Sequence, residues 1–276
     1  MNTCKTCGNQ FEGKYCNLCG ERLYNEKDKT LYHFFEDAIH FLTHLDGTLL
    51  NTLKAMFTRP GLLSVDYCNG IRRKYFKPLS LFLILVVIYL LFPLFQGLDM
   101  SLFNNTHIWY GQFATQKATA IMHEKSLSFG QLSNLYHEKS EKVSKFLLII
   151  LIPVMALFFW LFFHKKKKYL FDHLVFSTEI NSFFLLWGFL ILPLLLAGIN
   201  SIVYFFSKTY LFDNELGIGI MIFTVFGIYT GVAVRRFYKI KKWQAIIFAS
   251  LFIAFHIFFV LWVYKFILFV ITIYQF

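Results

Sequence analysis

The sequence predicts an all-α membrane protein of about five transmembrane helices, headed by a small cytosolic zinc ribbon and an amphipathic helix. Three observations carry that expectation. The first is composition. Across 276 residues the mean hydropathy is +0.54, 57% of residues are hydrophobic and 36 are phenylalanine, more apolar surface than a soluble core of this length hides. The second is that the apolar residues fall in continuous runs near the roughly 20 residues with which a helix crosses a bilayer. A membrane β-barrel would alternate instead, over segments of about ten residues. The third is a polar N-terminal segment with two closely spaced C-x-x-C-G knuckles.

The formal charge of +11 has a topological reading. Of the 27 lysines and arginines, eleven precede Leu79, four form Lys165–Lys168 and five lie in Arg235–Lys242. If the chain alternates across the bilayer, these three groups share one face, the pattern of cytosolic loops under the positive-inside rule. The excess charge then needs no polyanionic partner, and nucleic acid is not expected. The cations suit anionic lipid headgroups instead. The chain opens on a polar, cysteine-bearing stretch with no signal-peptide pattern, so the first span is expected to act as an uncleaved insertion signal. The expected location is a bacterial inner membrane, multi-pass, with the N-terminus in the cytosol.

Residues 1–24 carry the clearest chemistry. Cys4 and Cys7 form one knuckle and Cys16 and Cys19 the other, each followed by glycine. Zinc binds four thiolates in a tetrahedron, and each C-x-x-C turn offers two sulfurs on one side of a tight loop. A glycine after the second cysteine takes φ > 0 readily, which turns backbone N–H groups toward the sulfurs. With so small an apolar core, the metal would supply most of the folding free energy. Iron in a rubredoxin-like site and paired disulfides are the alternatives; the short gap between knuckles disfavours the first and a reducing cytosol the second. Four thiolates leave no open coordination position, so the expected zinc is structural.

Residues 25–78 read as interfacial helices ending in a basic junction. From Asp28 or Thr30 the pattern becomes amphipathic, with Leu31, Phe34, Phe35, Ala38, Phe41, Leu42 and Leu45 on one arc, continued by Leu49, Leu53 and Met56. Such a helix fits either the membrane surface or packing against the spans. On its polar back, His33, Asp37, His40 and His44 read as a solvated face, with a second metal site as the sharper alternative. Arg59-Pro60-Gly61 should stop the helix, and Cys68 reads as small apolar packing. The junction Gly70–Pro78 then places Arg72, Arg73, Lys74 and Lys77 against the first apolar run. These cations, with Lys165, Lys166, Lys167 and Lys168, are the expected membrane anchors.

Residues 79–276 form the expected bundle, with spans near 79–98, 146–163, 180–206, 216–234 and 243–264 and an outer loop at 99–145. Ser128 is placed to cap a helix feeding the second span. Residues 169–206 are too long for one upright crossing and too short for two, so 169–178 is expected to be interfacial or re-entrant, and residues 266–276 an interfacial or helical extension. Gly227 and Gly231 offer a small-x-x-x-small face for close helix contact. Ionisable groups at membrane depth are costly and mark a pathway or an internal pair. His173, Glu179, Asn181, Asn200 and His256 therefore form a candidate intramembrane polar set, with Glu179 the leading member and an interfacial or structural role the plainer reading. His256 is expected as a neutral imidazole hydrogen-bonded to another helix.

The knuckles, the amphipathic run ending in Thr58-Arg59-Pro60-Gly61, and Gly70-x-Arg72-x-x-Tyr75-x-x-Pro78 resemble a family of uncharacterised bacterial inner-membrane proteins, a domain of unknown function. The resemblance covers roughly the first 95 residues, with a weaker echo at Phe171–Phe176. There the family pattern has a second histidine a few residues on, and this chain has Glu179 and Asn181. The resemblance implies a cytosolic zinc-ribbon head on a small helical bundle, and it implies no activity.

No nucleophile–base pair, phosphate loop, nucleotide fingerprint or catalytic metal motif is present in the sequence, and no catalytic residue is expected. Two functions from different classes remain. One is a membrane scaffold or regulator whose ribbon docks a cytosolic protein. The other is a transporter of a small solute or lipid, with the polar set lining its path.

Overall fold

A computed structural model describes residues 2–23, 48–92, 98–209, 211 and 214–276. The arc from Leu31 to Leu45, the polar face with His33, Asp37, His40 and His44, and Pro93 lie outside the described residues. The head has two short antiparallel strands, β1 (Asn2–Thr3) and β2 (Gln10–Phe11), with Asn2 opposite Phe11 and Thr3 opposite Gln10. Nine helices follow among the described residues. Five are short or medium: α1 (Thr48–Thr58), α2 (Leu62–Cys68), α3 (Pro78–Leu91), α4 (Leu102–Asn105) and α5 (Gly111–Lys125). Four are long: α6 (Phe129–Phe163), α7 (Leu170–Ser207), α8 (Glu215–Tyr238) and α9 (Lys242–Ile273).

These four are long and apolar enough to cross a membrane. The expected first span is a shorter helix, since α3 has 14 residues, about 21 Å of rise against a hydrocarbon core of about 30 Å. It starts at Pro78, whose fixed φ and missing N–H suit a first helical turn. Phe82, Leu85, Val86 and Tyr89 on α3 are buried.

The stretch at 169–178 is neither re-entrant nor separate, because it forms the first turns of α7, 38 continuous residues. Every residue from Phe171 to Leu185 is buried, so this half of α7 is the axis of the bundle and is packed on all sides. That explains why its sequence shows no single apolar face. The helix absorbs Pro193 by widening to a π-helical segment over Leu186–Ile191. Pro193 supplies no N–H and its ring crowds the carbonyl four residues back, so the ladder shifts register there. In α6, Pro153 follows a 3-10 segment at Leu148–Ile150 for the same reason.

The segment 99–145 is helical and has a core of its own. Ser128 caps α6 as its sequence suggests: its Oγ accepts from Gln131 N at 3.3 Å, and Gln131 Oε1 accepts from Ser128 N at 2.9 Å. Leu102, Tyr110, Ala114, Leu132 and Tyr136 then close around Phe269 and Ile273 from the end of α9. The C-terminus is tied in by Lys139 Nζ donating to Gln275 O at 2.7 Å. The turns at the other end of the long helices meet the junction side. Arg236 donates to Pro60 O, and Lys167 Nζ lies 5.0 Å from the Phe237 ring. The runs 165–168 and 235–242 therefore gather at the end of the bundle that also carries the four-cysteine head.

Candidate functional site

The head is one turn used twice. Cys4 N donates to Asn9 O and Cys16 N to Glu21 O, both at 2.8 Å, and Gly8 N and Gly20 N return to Cys4 O and Cys16 O at 2.9 and 2.7 Å. Gly8 and Gly20 have φ of 75° and 67°, the left-handed geometry that closes each knuckle. The glycine N–H groups serve the turn itself; those of Cys19 and Leu18 favour the thiolate of Cys16, and that of Asn9 the thiolate of Cys7.

The four sulfurs lie within 4.8 Å of one another, with Cys4–Cys19 at 3.5 Å and Cys7–Cys16 at 3.6 Å. A tetrahedral ion with metal–sulfur bonds of about 2.3 Å separates its sulfurs by about 3.8 Å, so the cage has the size a metal needs. The Cys19 N–H is the main cause that brings the Cys16 thiol down to about 6. At Cys19 the Glu21 N–H favours the thiolate, yet desolvation and the three neighbouring thiols outweigh it and push that thiol up to about 12. Four thiolates this close need a cation among them. The four cysteines could hold a metal ion and leave it no open position for substrate.

Glu21 and Arg73 fasten the head to the junction. Glu21 Oε2 accepts from Thr6 Oγ1 at 2.8 Å and from Arg73 N at 2.9 Å, and the Arg73 guanidinium donates to Cys19 O. Lys5 Nζ adds a bond to Asn69 O at 3.0 Å. Glycine suits position 20 through its left-handed φ of 67°, and a Cβ there would displace the Arg73 guanidinium from its place beside the knuckle. The other junction cations also meet partners within the chain. Arg72 lies over Tyr67 at 5.2 Å and Phe171 at 5.9 Å, and Lys74 lies 3.6 Å from Asp66 and 5.0 Å from the Tyr75 ring. Lys165, Lys166 and Lys168 are exposed.

The candidate polar set divides into separate places. Glu179 is buried on α7 and accepts four hydrogen bonds. Gly61 N at 2.8 Å and Tyr229 Oη at 3.1 Å meet Oε1; Ser64 N at 2.9 Å and Ser64 Oγ at 2.5 Å meet Oε2. Gly61 and Ser64 belong to the turn into α2, whose first N–H groups have no partner inside the helix. The acid therefore clasps the Pro60–Gly61 turn and joins α2, α7 and α8. Gly61 has φ of 80°, and a Cβ on it would lie 2.7 Å from Ala233 O on α8, so only glycine lets the turn come this close.

His173 is fixed two turns earlier. Its Nε2 lies 3.0 Å from Lys167 O and its Nδ1 2.8 Å from Tyr238 Oη. A carbonyl only accepts, so Nε2 carries the proton and Nδ1 accepts from the tyrosine. Asn181 Nδ2 donates to Ser177 O at 2.8 Å, and Ser177 Oγ donates to Ile152 O on α6 at 2.8 Å.

Asn200 and His256 are elsewhere. Asn200 Oδ1 accepts from Leu211 N at 3.1 Å, in the connection between α7 and α8. His256 is fully buried among the rings of Phe184, Phe226 and Phe252. Neither of its nitrogens has a hydrogen-bond partner among the described residues, so the expected bond to another helix is replaced by aromatic packing. Sequence reasoning missed Ser64, Tyr229, Tyr238 and Glu21. Gly61 was legible as a helix stop, but no local signal links it to an acid 118 positions away.

The fold and these sites define a class: a helical protein with four membrane-length helices and a cluster of four cysteines able to take a metal ion. Within that class, residues 46–90 match a family model described as "Protein of unknown function (DUF3667)", and this stretch is similar to that family. No curated protein and no solved structure matches the chain. The matched stretch holds α1, the Pro60–Gly61 turn, α2, the basic junction and most of α3, which includes the segment that Glu179 holds.

Proposed function

We propose that this chain is a bacterial inner-membrane scaffold or regulator whose cytosolic head holds a structural zinc ion and docks a cytosolic protein. The observation that carries the reading is how the head is presented. It is fastened to the junction through Glu21, Arg73 and Lys5, while Tyr15 and Leu18 on its second knuckle are 61% and 72% exposed. A rigid metal-held turn offering an aromatic and an aliphatic side chain is a surface suited to a protein partner. The route inward is short, since the junction leads through α2 to the Glu179 clasp on the central helix.

The transport reading needs the polar side chains to share a path. Glu179 instead spends both oxygens on the α2 turn and Tyr229, Asn200 serves the α7–α8 connection, and His256 is enclosed by phenylalanines. Those placements support the docking reading. The cationic runs gathered at the head's end of the bundle support a cytosolic head.

A photo-crosslinking residue at Leu18 of the full chain tests this in cells. The expected outcome is a discrete adduct with a soluble cytosolic protein, lost when Cys16 and Cys19 are both changed to serine and weakened by Tyr15→Ala. An adduct pattern indifferent to the cysteines would overturn the docking role. A reporter fused after Gly70 and active only in the periplasm would overturn the orientation.

A further inference from the structure

An apolar groove runs between α8 and α9, on a face the polar set does not use. Its volume is about 680 Å³, and its walls include Gly227 and Gly231 from α8 and Ala249, Ser250 and Ile253 from α9. Arg235 and Lys242 stand at one end. Both are exposed, and neither makes an ion pair among the described residues. We propose that this groove binds one anionic phospholipid, its acyl chain along the small-residue wall and its phosphate between the Arg235 guanidinium and the Lys242 ammonium.

Dimensions and charge both favour that occupant. From Arg235 to Phe223 the groove follows twelve residues of α8, about 18 Å of rise, close to one leaflet of a hydrocarbon core of about 30 Å. The cations are at the end, where a headgroup sits, and beyond them the walls are apolar apart from the hydroxyls of Thr224 and Ser250. The groove exists because its walls are small: Gly231 brings α8 close to Ala249, with a Cβ there 3.4 Å from the Ala249 Cβ. A second copy of the chain fits less well. A parallel two-fold pairing through this face would set Arg235 and Lys242 of both copies at the same depth, like charge against like charge. An anionic headgroup relieves that charge instead.

The inference rests on α8 and α9 crossing a bilayer, so the test separates the two. Alkaline carbonate extraction of membranes comes first: release of the full chain would refute the membrane reading itself. For the retained protein, native mass spectrometry in detergent compares phosphatidylglycerol with phosphatidylcholine of identical chains. The expected result is one phosphatidylglycerol held per chain in preference to phosphatidylcholine. Two cations near an anionic headgroup contribute about a thirtyfold preference, which Arg235→Gln with Lys242→Gln should remove. Ser250→Trp, at an exposed groove position, should lower occupancy by both lipids, while glutamine at Lys165–Lys168 leaves the held lipid in place. Gel-filtration profiles matching the parent confirm that each variant is folded. Preference unchanged by the Arg235 and Lys242 changes, or lost only with the lysine run, would overturn the proposal. So would a dimer that Ser250→Trp dissociates, since the occupant would then be a second copy.

Discussion

Removing the Glu179 carboxylate tests whether one buried acid holds the juxtamembrane turn. Glu179→Ala takes away both acceptors and leaves Gly61 N, Ser64 N, Ser64 Oγ and Tyr229 Oη facing a cavity. An orphaned buried donor costs about 1–3 kcal/mol. Ser64 Oγ has a second acceptor, Val175 O at 3.5 Å, so two backbone N–H groups and the tyrosine dominate the loss. About 3–5 kcal/mol is expected, the lower part of the range for three orphaned neutral donors. Glu179→Gln keeps the shape but turns an NH₂ toward two of the donors, and should cost about half as much. The loss falls on α2, which carries Cys68, 1% exposed. In a background with serine at Cys4, Cys7, Cys16 and Cys19, maleimide labelling of Cys68 in detergent reports the opening of that helix. A local loss of about 3 kcal/mol raises the open population roughly a hundredfold, and the labelling rate should follow. The double change Glu179→Ala with Ser64→Ala should add little beyond the first, because both remove the same contact. A labelling rate within twofold of the parent for Glu179→Ala would refute the clasp.

Three further outcomes follow from the same geometry. Gly61→Ala forces a left-handed residue and a Cβ 2.7 Å from Ala233 O, whereas Gly198→Ala meets nothing within 4 Å; thermal unfolding should show the first well below the second, and equal midpoints would refute the close approach. Metal analysis of the full chain should find about one zinc per protein, and serine at all four cysteines should abolish it; equal metal content in both would remove the site. Tyr238→Phe deletes the donor to His173 Nδ1, at 2.8 Å, and should cost about 1 kcal/mol, read as a fall in unfolding temperature; combined with His173→Phe, the two falls should sum to less than their separate values, because both remove the same bond.

Much of the architecture was readable before folding because it depends on local pattern. The four-cysteine cage follows from spacing alone, since two C-x-x-C turns need only meet to bring four sulfurs together. Long apolar runs announce membrane-length helices, and Ser128 with Gln131 announces a helix start. The sequence and the described structure differ where length had to stand for partnership. The run at 79–98 looked like a full crossing, yet its described helix is 14 residues long. The run at 169–206 looked too long for one helix, and it is one helix because its first half is the buried axis. The segment 99–145 looked like a loop because polar helices with a small shared core carry weak periodicity.

The sequence by itself determined the thiol cage, the long apolar helices and the gathering of cations in a few turns, because each depends on residues a few positions apart. The tertiary structure alone decided what the costly interior groups do. Glu179 meets Gly61 and Ser64 across more than a hundred positions and Tyr229 across fifty, His173 finds Tyr238, and His256 is packed among aromatic rings. A buried polar group takes whichever partner packing brings within about 3 Å, and that partner is set by how helices cross.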